Sequence, residues 1–215
     1  MRHRYAMLLN MFTEHVQSRA AARDETRAKV LASAERLFRG QGFAATTVRQ
    51  IATDAGVSTG TVMGVGDKDG LLIEVFDEWI AAVHRDRQAG DESPDPLTPD
   101  ATVDAVIGLL APFLRYFAED PALSRQYSSI IVRGSHESAI FRDLAVALVT
   151  ELEAVLARAG LSTAAAPRAA RVIYFAYLGI VMTGGNQVSG SASVPDQLRD
   201  VVRCVIHDSA QGEEQ

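Results

Sequence analysis

The sequence predicts an all-α fold of about nine helices. Through most of its 215 residues, apolar positions recur at the three- and four-residue intervals of amphipathic helices. No stretch alternates apolar and polar residues for long enough to indicate a strand, and the periodic stretches are separated at Gly40, Gly42, Gly56, Gly160 and the prolines of residues 88–100. With 47% apolar residues the chain can bury a substantial core, arranged as one large domain or two modest ones.

The first helix is predicted to begin with Asp24 as its N-cap and to end at the glycines Gly40 and Gly42. Its apolar positions follow helical spacing: Val30, Leu31, Ala34, Leu37 and Phe38. Residues 1–23 are expected to form an extension, either an extra amphipathic turn or a loose basic arm. Asn10 interrupts their apolar run and no small-residue cleavage site follows, so we do not expect a signal peptide.

Two short helices follow, predicted from Val48 to Ala55 and from about Thr59. Thr47 suits the N-cap of the first and Ser58 that of the second, while Gly56 between them can adopt the positive φ of a tight turn. This pattern predicts a helix-turn-helix, whose second helix places its N-terminal residues near base edges in the DNA major groove. A helical hairpin without a DNA function is the alternative.

A long amphipathic helix is predicted from about Lys68 to Gln88. Residues 88–100 contain three prolines and several acidic residues, which cannot continue a helix and mark a candidate domain boundary. Beyond them the apolar periodicity predicts five more helices, at about 101–118, 120–133, 138–159, 165–184 and 195–209.

The helix at 165–184 is apolar on two sides. Ile173 and Tyr177 lie on one side, and Val172, Phe175 and Gly179 lie on the other. Such a helix needs two buried contacts, and we expect the second to be another subunit. The alternative is the central helix of a monomeric bundle.

Charge is distributed unevenly along the chain. Residues 1–60 carry a net charge of +4, although the whole chain carries −6. A basic head on an acidic body is typical of DNA-binding proteins. The lone Cys204 cannot form an intrachain disulfide, which fits a reducing cytoplasm.

The sequence contains no pattern that indicates an enzyme or a membrane protein. No metal-ligand spacing, nucleophile motif or phosphate-binding loop in a strand context is present, so we predict no catalytic residues, no metal and no cofactor. No uninterrupted apolar stretch is long enough to cross a bilayer. The expected location is the cytoplasm.

Residues 24–83 resemble the DNA-binding region of TetR-family regulators. The matching parts are Ala34 to Phe38, residues 42–48, Ile51 with Ala52, residues 55–62, and Lys68 with Leu71 and Leu72. The resemblance implies an extension at 1–23, a helix-turn-helix DNA-binding domain at 24–70 and a helical ligand-binding and dimerisation domain at 71–215. Residues 71–88 would be the connecting helix.

One segment departs from the family pattern. Where the family usually has aromatic residues before the lysine, this chain has Met63, Gly64, Val65, Gly66 and Asp67. The contact that an aromatic hydroxyl usually makes to a DNA phosphate is therefore missing. The two glycines also weaken the C-terminal end of the recognition helix. A TetR-like ligand-binding protein with weak or lost DNA binding therefore stays open as an alternative to a regulator.

The DNA-binding hypothesis assigns residues to two kinds of contact. Thr47 and Lys68 would hold phosphates, while Ser58, Thr59 and Thr61 would face base edges. Gly60 would allow close backbone approach, and Arg49 would reach a phosphate or a guanine, or would simply be solvated. A basic approach to the duplex would come from Arg19, Arg23, Arg27 and Lys29.

The resemblance also implies partners. A homodimer formed through the helices at about 165–184 and 195–209 would bind a near-palindromic operator as a repressor, released by a small, mainly apolar effector. For each candidate pocket residue, ordinary core packing is the alternative. The candidates are Phe113, Phe117, Tyr127, Ile131, Phe141, Leu144, Tyr174, Tyr177 and Met182.

Overall fold

The computed structural model describes residues 2–87, 95–134, 136, 139–183 and 193–211. Side chains are described for these residues except 2–18, 86–87, 139–142, 144 and 209–211. Over these ranges the fold is all helical, as predicted, with no strand. The helices are α1 (Arg2–Gln41), α2 (Val48–Ala55), α3 (Thr59–Val65), α4 (Lys68–Arg87), α5 (Pro99–Glu119), α6 (Pro121–Arg133), α7 (Ala139–Arg158), α8 (Ala165–Thr183) and α9 (Val194–Gln211).

The chain divides into two compact units, Met1–Val75 and Phe76–Gln215. In the first unit, α2 packs on both α1 and α3. Its core is formed by side chains that are fully or almost fully buried, namely Val30, Leu31, Phe38, Ile51, Val62, Leu71 and Leu72. These are the positions whose helical spacing predicted the first elements.

The prediction that the first helix begins at Asp24 is wrong, because α1 begins at Arg2 and continues through Asp24 without interruption. No glycine or proline lies between Arg2 and Arg39, and Ala20, Ala21 and Ala22 are strong helix formers. An aspartate can cap a helix only where the preceding backbone leaves the helical conformation. Residues 2–23 therefore belong to α1 rather than to a separate turn or a loose arm.

The second unit is a helical bundle in which α8 is packed on one side and exposed on the other. This helix packs against α7 and α9, and α5 lies against α6, α7 and α9. The interior is aliphatic and aromatic, with Leu110, Leu152, Leu156, Ile173, Leu198 and Val202 all fully buried. An ion pair between Arg199 Nη1 and Asp104 Oδ1, 2.7 Å long, joins α9 to α5 at the surface.

Predicted bounds for the later helices agree with the structure to within about two residues. Thr98 and Asp120 cap α5 and α6, and a proline follows each cap at the first helical position. The proline-rich stretch predicted as a break lies partly outside the described residues, at 88–94, and its described end leads into α5.

One described helix, α5, is long and apolar enough to cross a membrane by length and composition. A buried core helix passes the same test. Eight residues of α5 are buried in the bundle, among them Val103, Val106, Leu110 and Phe113, which accounts for its hydropathy.

Candidate functional site

The turn between α2 and α3 is closed by backbone hydrogen bonds. Gly56 has φ 67° and ψ 33°, in the left-handed region, and its N–H donates to Thr53 O at 3.3 Å. The N–H of Val57 donates to Ala52 O at 3.0 Å. Together these two bonds form a Schellman motif, which ends α2 and turns the chain directly into α3. The prediction that Gly56 makes this turn is confirmed.

Both helices begin at the predicted caps. Thr47 Oγ1 accepts from Gln50 N at 3.2 Å, and Gln50 Oε1 accepts from Thr47 N at 2.8 Å, which completes a capping box. Ser58 Oγ accepts from Thr61 N at 3.0 Å and lies 2.8 Å from the Thr61 hydroxyl. The caps fix where each helix starts, so they fix which side chains face outward.

The tip of α3 presents small polar groups to solvent. Ser58, Thr59 and Gly60 are exposed, and Thr61 is half-buried. Because the Ser58 and Thr61 hydroxyls are engaged with each other, Thr59 has the one hydroxyl of this tip that makes no hydrogen bond among the described residues. We therefore expect Thr59 to be the first of the three to meet a base edge.

The two predicted cations differ in their surroundings. Arg49 is exposed in an open surface groove beside Thr47, and among the described residues its side chain has no ion pair or hydrogen bond. Lys68 is half-buried, with Nζ 4.2 Å from the centroid of the Phe43 ring and 3.5 Å from Ala44 O. Among the described residues, the Arg49 side chain therefore has no partner to give up on binding a phosphate. The Lys68 side chain, in contrast, already contacts the loop before α2.

The predicted basic approach on α1 is partly neutralised within the protein. Arg27 pairs with Glu74, and Lys29 Nζ lies 2.7 Å from Glu25 Oε1. Arg19 and Arg23 are exposed and lack side-chain partners among the described residues. These two arginines are therefore the members of the set whose side chains stay exposed and without a partner among the described residues.

The segment that departs from the family pattern is a regular helix end. Residue Val65 is the last of α3, and Gly66 N donates to Val62 O at 3.0 Å. Asp67 then caps α4 by accepting from Gly70 N at 2.8 Å. Met63 is 53% exposed, so α3 shows solvent an apolar side chain and no charged one.

The second unit contains a cavity of about 50 Å³. Six of the predicted pocket residues line it: Phe113, Phe117, Tyr127, Tyr174, Tyr177 and Met182. Ile131 is half-buried and is not part of the lining, while the side chains of Phe141 and Leu144 lie outside the described residues. Small-molecule sites usually have roughly 300 Å³ or more, so an organic ligand would have to displace lining side chains.

An aromatic cluster adjoins this cavity. Phe76 stacks on Tyr127 with ring centroids 4.2 Å apart, and Trp79 stacks on Tyr116 at 3.6 Å. The Trp79 ring also meets Phe113 edge-on at 6.1 Å. Trp79 therefore does not line the cavity itself but contacts Phe113, which does.

Three tyrosines bring hydroxyl groups to the lining. Burial raises the pKa of Tyr174 to about 12 and raises the pKa of Tyr177 as well. For Tyr127, burial and then the nearby negative charge of Asp77 raise the pKa. All three phenols therefore stay protonated at neutral pH.

Sequence reasoning missed the polar part of the lining. His84 and Ser128 line the cavity together with aliphatic residues of α4, α7 and α8. His84 is buried, and its Nδ1 lies 3.5 Å from Glu151 Oε1. The sequence contained one signal for these polar groups, since Asp77 and His84 lie two turns apart on the apolar face of α4. The pairing of His84 could not be predicted from it, because its partner Glu151 lies far away in sequence.

Residues 30–75 match the family model described as bacterial regulatory proteins, tetR family. This stretch contains α2, α3, both caps and the exposed tip of α3. No curated protein matches the chain in sequence.

Solved structures resemble the chain over most of its length. A TetR transcriptional regulator from Rhodococcus sp. RHA1 is 22% identical, with 86% of this chain and 95% of that chain covered and a TM-score of 0.56. The TetR-family repressor FadR of Thermus thermophilus, solved with lauroyl-CoA, is 19% identical, with 84% and 93% covered and a TM-score of 0.58. SmeT, the repressor of the Stenotrophomonas maltophilia multidrug efflux pump SmeDEF, is 21% identical, with 86% and 89% covered and a TM-score of 0.51. At these identities the likeness shows the fold.

Proposed function

We propose that this chain, a TetR-family transcriptional regulator by the match of residues 30–75, is a cytoplasmic homodimeric repressor that leaves its operator when a small, mainly apolar effector binds. Family membership, rather than any missing feature, also supports the prediction that the protein is not an enzyme. The observation that carries the proposal is the exposed tip of α3, which Ser58 caps directly after the turn at Gly56.

The proposed DNA contacts follow from exposure and free hydrogen-bonding capacity. Thr59 would meet base edges with its free hydroxyl and its methyl group, and Gly60 would let the backbone approach. Thr47 and Lys68 would contact phosphates, as would the exposed N–H groups at the helix starts. Arg49, whose guanidinium has no partner among the described residues, would bind a phosphate or a guanine edge.

The proposed dimer interface uses the outward face of α8. Val172 is 53% exposed and Phe175 is 65% exposed, and they share a stripe with the exposed Gly179. Such a stripe on a soluble protein indicates an interaction surface, and a glycine in it permits close helix approach. Val201 and Val205 of α9 are half-buried and would extend the surface. The two helix-turn-helix domains of the dimer would then bind half-sites whose centres lie roughly 34 to 36 Å apart, or a multiple of that distance.

The proposed release mechanism starts in the cavity of the second unit. Because the cavity is small, a ligand can bind only to a rearranged state of its aromatic lining. An effector that binds one state better than the other shifts the population toward it. Lower operator affinity in the ligand-bound state would release repression.

Gel-shift and footprinting experiments with DNA flanking the chain's own gene test DNA binding. We expect K68A to weaken binding to all sequences and to flatten the salt dependence, and T59A to change sequence preference. T53A, an exposed threonine of α2 outside the proposed contacts, is the control and should bind normally. If both K68A and T59A bind like the control, the DNA surface is wrongly assigned, and a protein with no operator affinity would favour the ligand-binding alternative.

Sedimentation of F175D tests the dimer. A charge at the centre of the proposed interface should turn the dimer into a monomer, because an unpaired buried charge is strongly unfavourable. V146D is the matched control, since Val146 is 66% exposed on α7 and is not part of the proposed interface. A stable wild-type monomer would refute the interface, and so would a dimer broken by V146D but not by F175D.

A further inference from the structure

One large apolar side chain of the first unit faces solvent. Among the residues of this unit whose side chains are described, Met63 is the only large hydrophobic one that is exposed, at 53% of its surface. The residue before it, Val62, is fully buried in the core. Methionine is flexible and polarisable, so it adapts to irregular apolar surfaces. The exposed apolar area of Met63 is therefore available to a binding partner.

Met63 shares the outward face of α3 with Thr59. Residues four apart in an α-helix lie one above the other on the same side, so Met63 stands one turn beyond Thr59. The exposed residues of α3 are Thr59, Gly60, Met63 and Gly64. A Cβ added at either glycine would meet no side chain or neighbouring backbone closer than 3.7 Å, so the face is open. It presents two side chains, of which that of Met63 is the longer.

The chemistry of the major groove offers Met63 one suitable contact. A DNA phosphate accepts hydrogen bonds and attracts cations, but a methionine side chain is uncharged and has no N–H or O–H to donate. Most groups on the base edges are hydrogen-bond donors or acceptors, and the exception is the C5-methyl group of thymine, which is apolar. If α3 lies in the groove, a thymine methyl is therefore the group that matches Met63.

We propose that Met63 is a specificity-determining residue that contacts the C5-methyl group of a thymine in each operator half-site. One turn of α3 rises about 5.4 Å and one base-pair step about 3.4 Å, so this thymine should lie one or two base pairs from the pair that Thr59 contacts. The inference rests on the proposed function, which places α3 in the groove, and deepens it by naming one feature of the operator. Within the segment that departs from the family pattern, an apolar base contact would replace a hydrogen bond to phosphate.

Replacement of thymine by deoxyuridine tests the contact, because it removes the methyl group and leaves every base-pairing group in place. The probe is the operator duplex identified by footprinting, with the thymines of one half-site replaced one at a time. Binding of the full wild-type chain is measured by fluorescence anisotropy at constant salt. We expect one position at which deoxyuridine weakens binding roughly fourfold, the effect of exposing one methyl-sized apolar group.

Variants identify the side chain that reads the methyl group. M63A should bind the thymine duplex roughly fourfold more weakly than wild type and should no longer distinguish thymine from deoxyuridine at that position. M63L, which keeps an apolar side chain of similar volume, should retain the distinction. T59A is the matched control on the same face, and it should also retain it. Because Met63 is exposed and alanine favours helix, M63A should melt at or slightly above the wild-type temperature.

The outcomes separate the inference from the proposed function. An operator that wild type binds equally well with thymine or deoxyuridine at every position would overturn the inference and leave the regulator intact. A thymine preference that persists in M63A would do the same, and its loss in T59A alone would assign the methyl contact to Thr59. A wild-type chain that binds no duplex would refute the proposed function and the inference together.

Discussion

The helix-turn-helix and the bundle satisfy their polar groups in different ways. In residues 46–67 the capping hydroxyls and the turn amides are paired within a few positions, as in the Thr47–Gln50 capping box and the bonds around Gly56, and the Thr59 hydroxyl is exposed to water. In the bundle, the hydroxyl of Tyr127 is buried and makes no hydrogen bond to any described residue, and the His84–Glu151 pair joins residues distant in sequence. The first region is built to hold one geometry, while the second leaves binding capacity unused.

This difference indicates where each region tolerates change. A region with locally satisfied groups loses stability when any one of them is removed, because its partner is left unpaired. A region with an orphan group can lose that group without cost. Four experiments, ordered from the largest expected effect to the smallest, test the contrast.

Phe38 anchors the core of the first unit, and F38A should lower the free energy of unfolding by about 3–5 kcal/mol. The side chain is fully buried against Phe43, with ring centroids 5.1 Å apart, so its loss leaves a cavity. Urea unfolding of the full chain, followed by circular dichroism, measures the change. V146A is the control, and a cost for F38A no greater than for truncation of this 66% exposed side chain of α7 would show that the core is placed incorrectly.

Thr46 and Tyr127 compare a satisfied hydroxyl with an orphan one. The buried Thr46 hydroxyl donates to the carbonyl oxygens of Gly42, at 2.9 Å, or Leu37, at 3.2 Å, so T46V should cost about 1–3 kcal/mol. Y127F removes a hydroxyl that makes no hydrogen bond and should leave the unfolding free energy unchanged or raise it. Thermal and urea unfolding of both variants provide the comparison. A destabilised Y127F would mean that the phenol has a partner, and the contrast between the regions would fail.

Two glycines of the helix-turn-helix should respond to alanine with opposite signs. Neither glycine has any atom within 4 Å of where a Cβ would stand, so backbone conformation alone decides. Gly56 has a positive φ, and G56A should cost about 1–2 kcal/mol. Gly64 lies inside α3, and G64A should stabilise the protein by about 0.5–1 kcal/mol. Changes of the same sign in the melting of the two variants would refute the turn geometry.

The smallest effect is expected at the surface ion pair of the bundle. A double-mutant cycle with R199A and D104A should give a coupling energy of about 0.2–1 kcal/mol that shrinks at high salt. The pair is partly exposed, so solvent and ions screen it. A salt-independent coupling well above this range would show that surface charge, rather than packing, stabilises the bundle.

The sequence was most informative where structure is local. Capping by Thr47 and Ser58, the turn at Gly56 and the later helix bounds depend on a few neighbouring residues, and all were predictable. The start of α1 was mistaken because a good cap residue does not end a helix that is already formed. The cavity was found in part, since aromatic residues on apolar faces are natural candidates for its lining.

The features that the sequence did not predict depend on contacts between residues that are distant in the chain. His84 was missed as a lining residue because a buried histidine is explained only by its partner Glu151, and the fold of the bundle brings the two together. Likewise, the ion pairs of Arg27 and Lys29 decide which basic side chains of α1 remain available for DNA contacts. The Lys29–Glu25 pair lies within α1, whereas the Arg27–Glu74 pair joins α1 to α4. Helical spacing identifies faces, but it does not say which faces meet.

The Schellman turn at Gly56 also constrains how operator preference can evolve. Two backbone bonds set the rotational phase of α3 relative to α2, and one inserted residue in a helix rotates everything after it by about 100°. Exchange of the side chain at position 59 leaves that phase untouched, whereas an insertion or deletion between 56 and 59 would turn Thr59 away from the surface that we propose to meet DNA. New binding sites should therefore arise in descendants of this chain through substitutions, while the length of the turn stays constant.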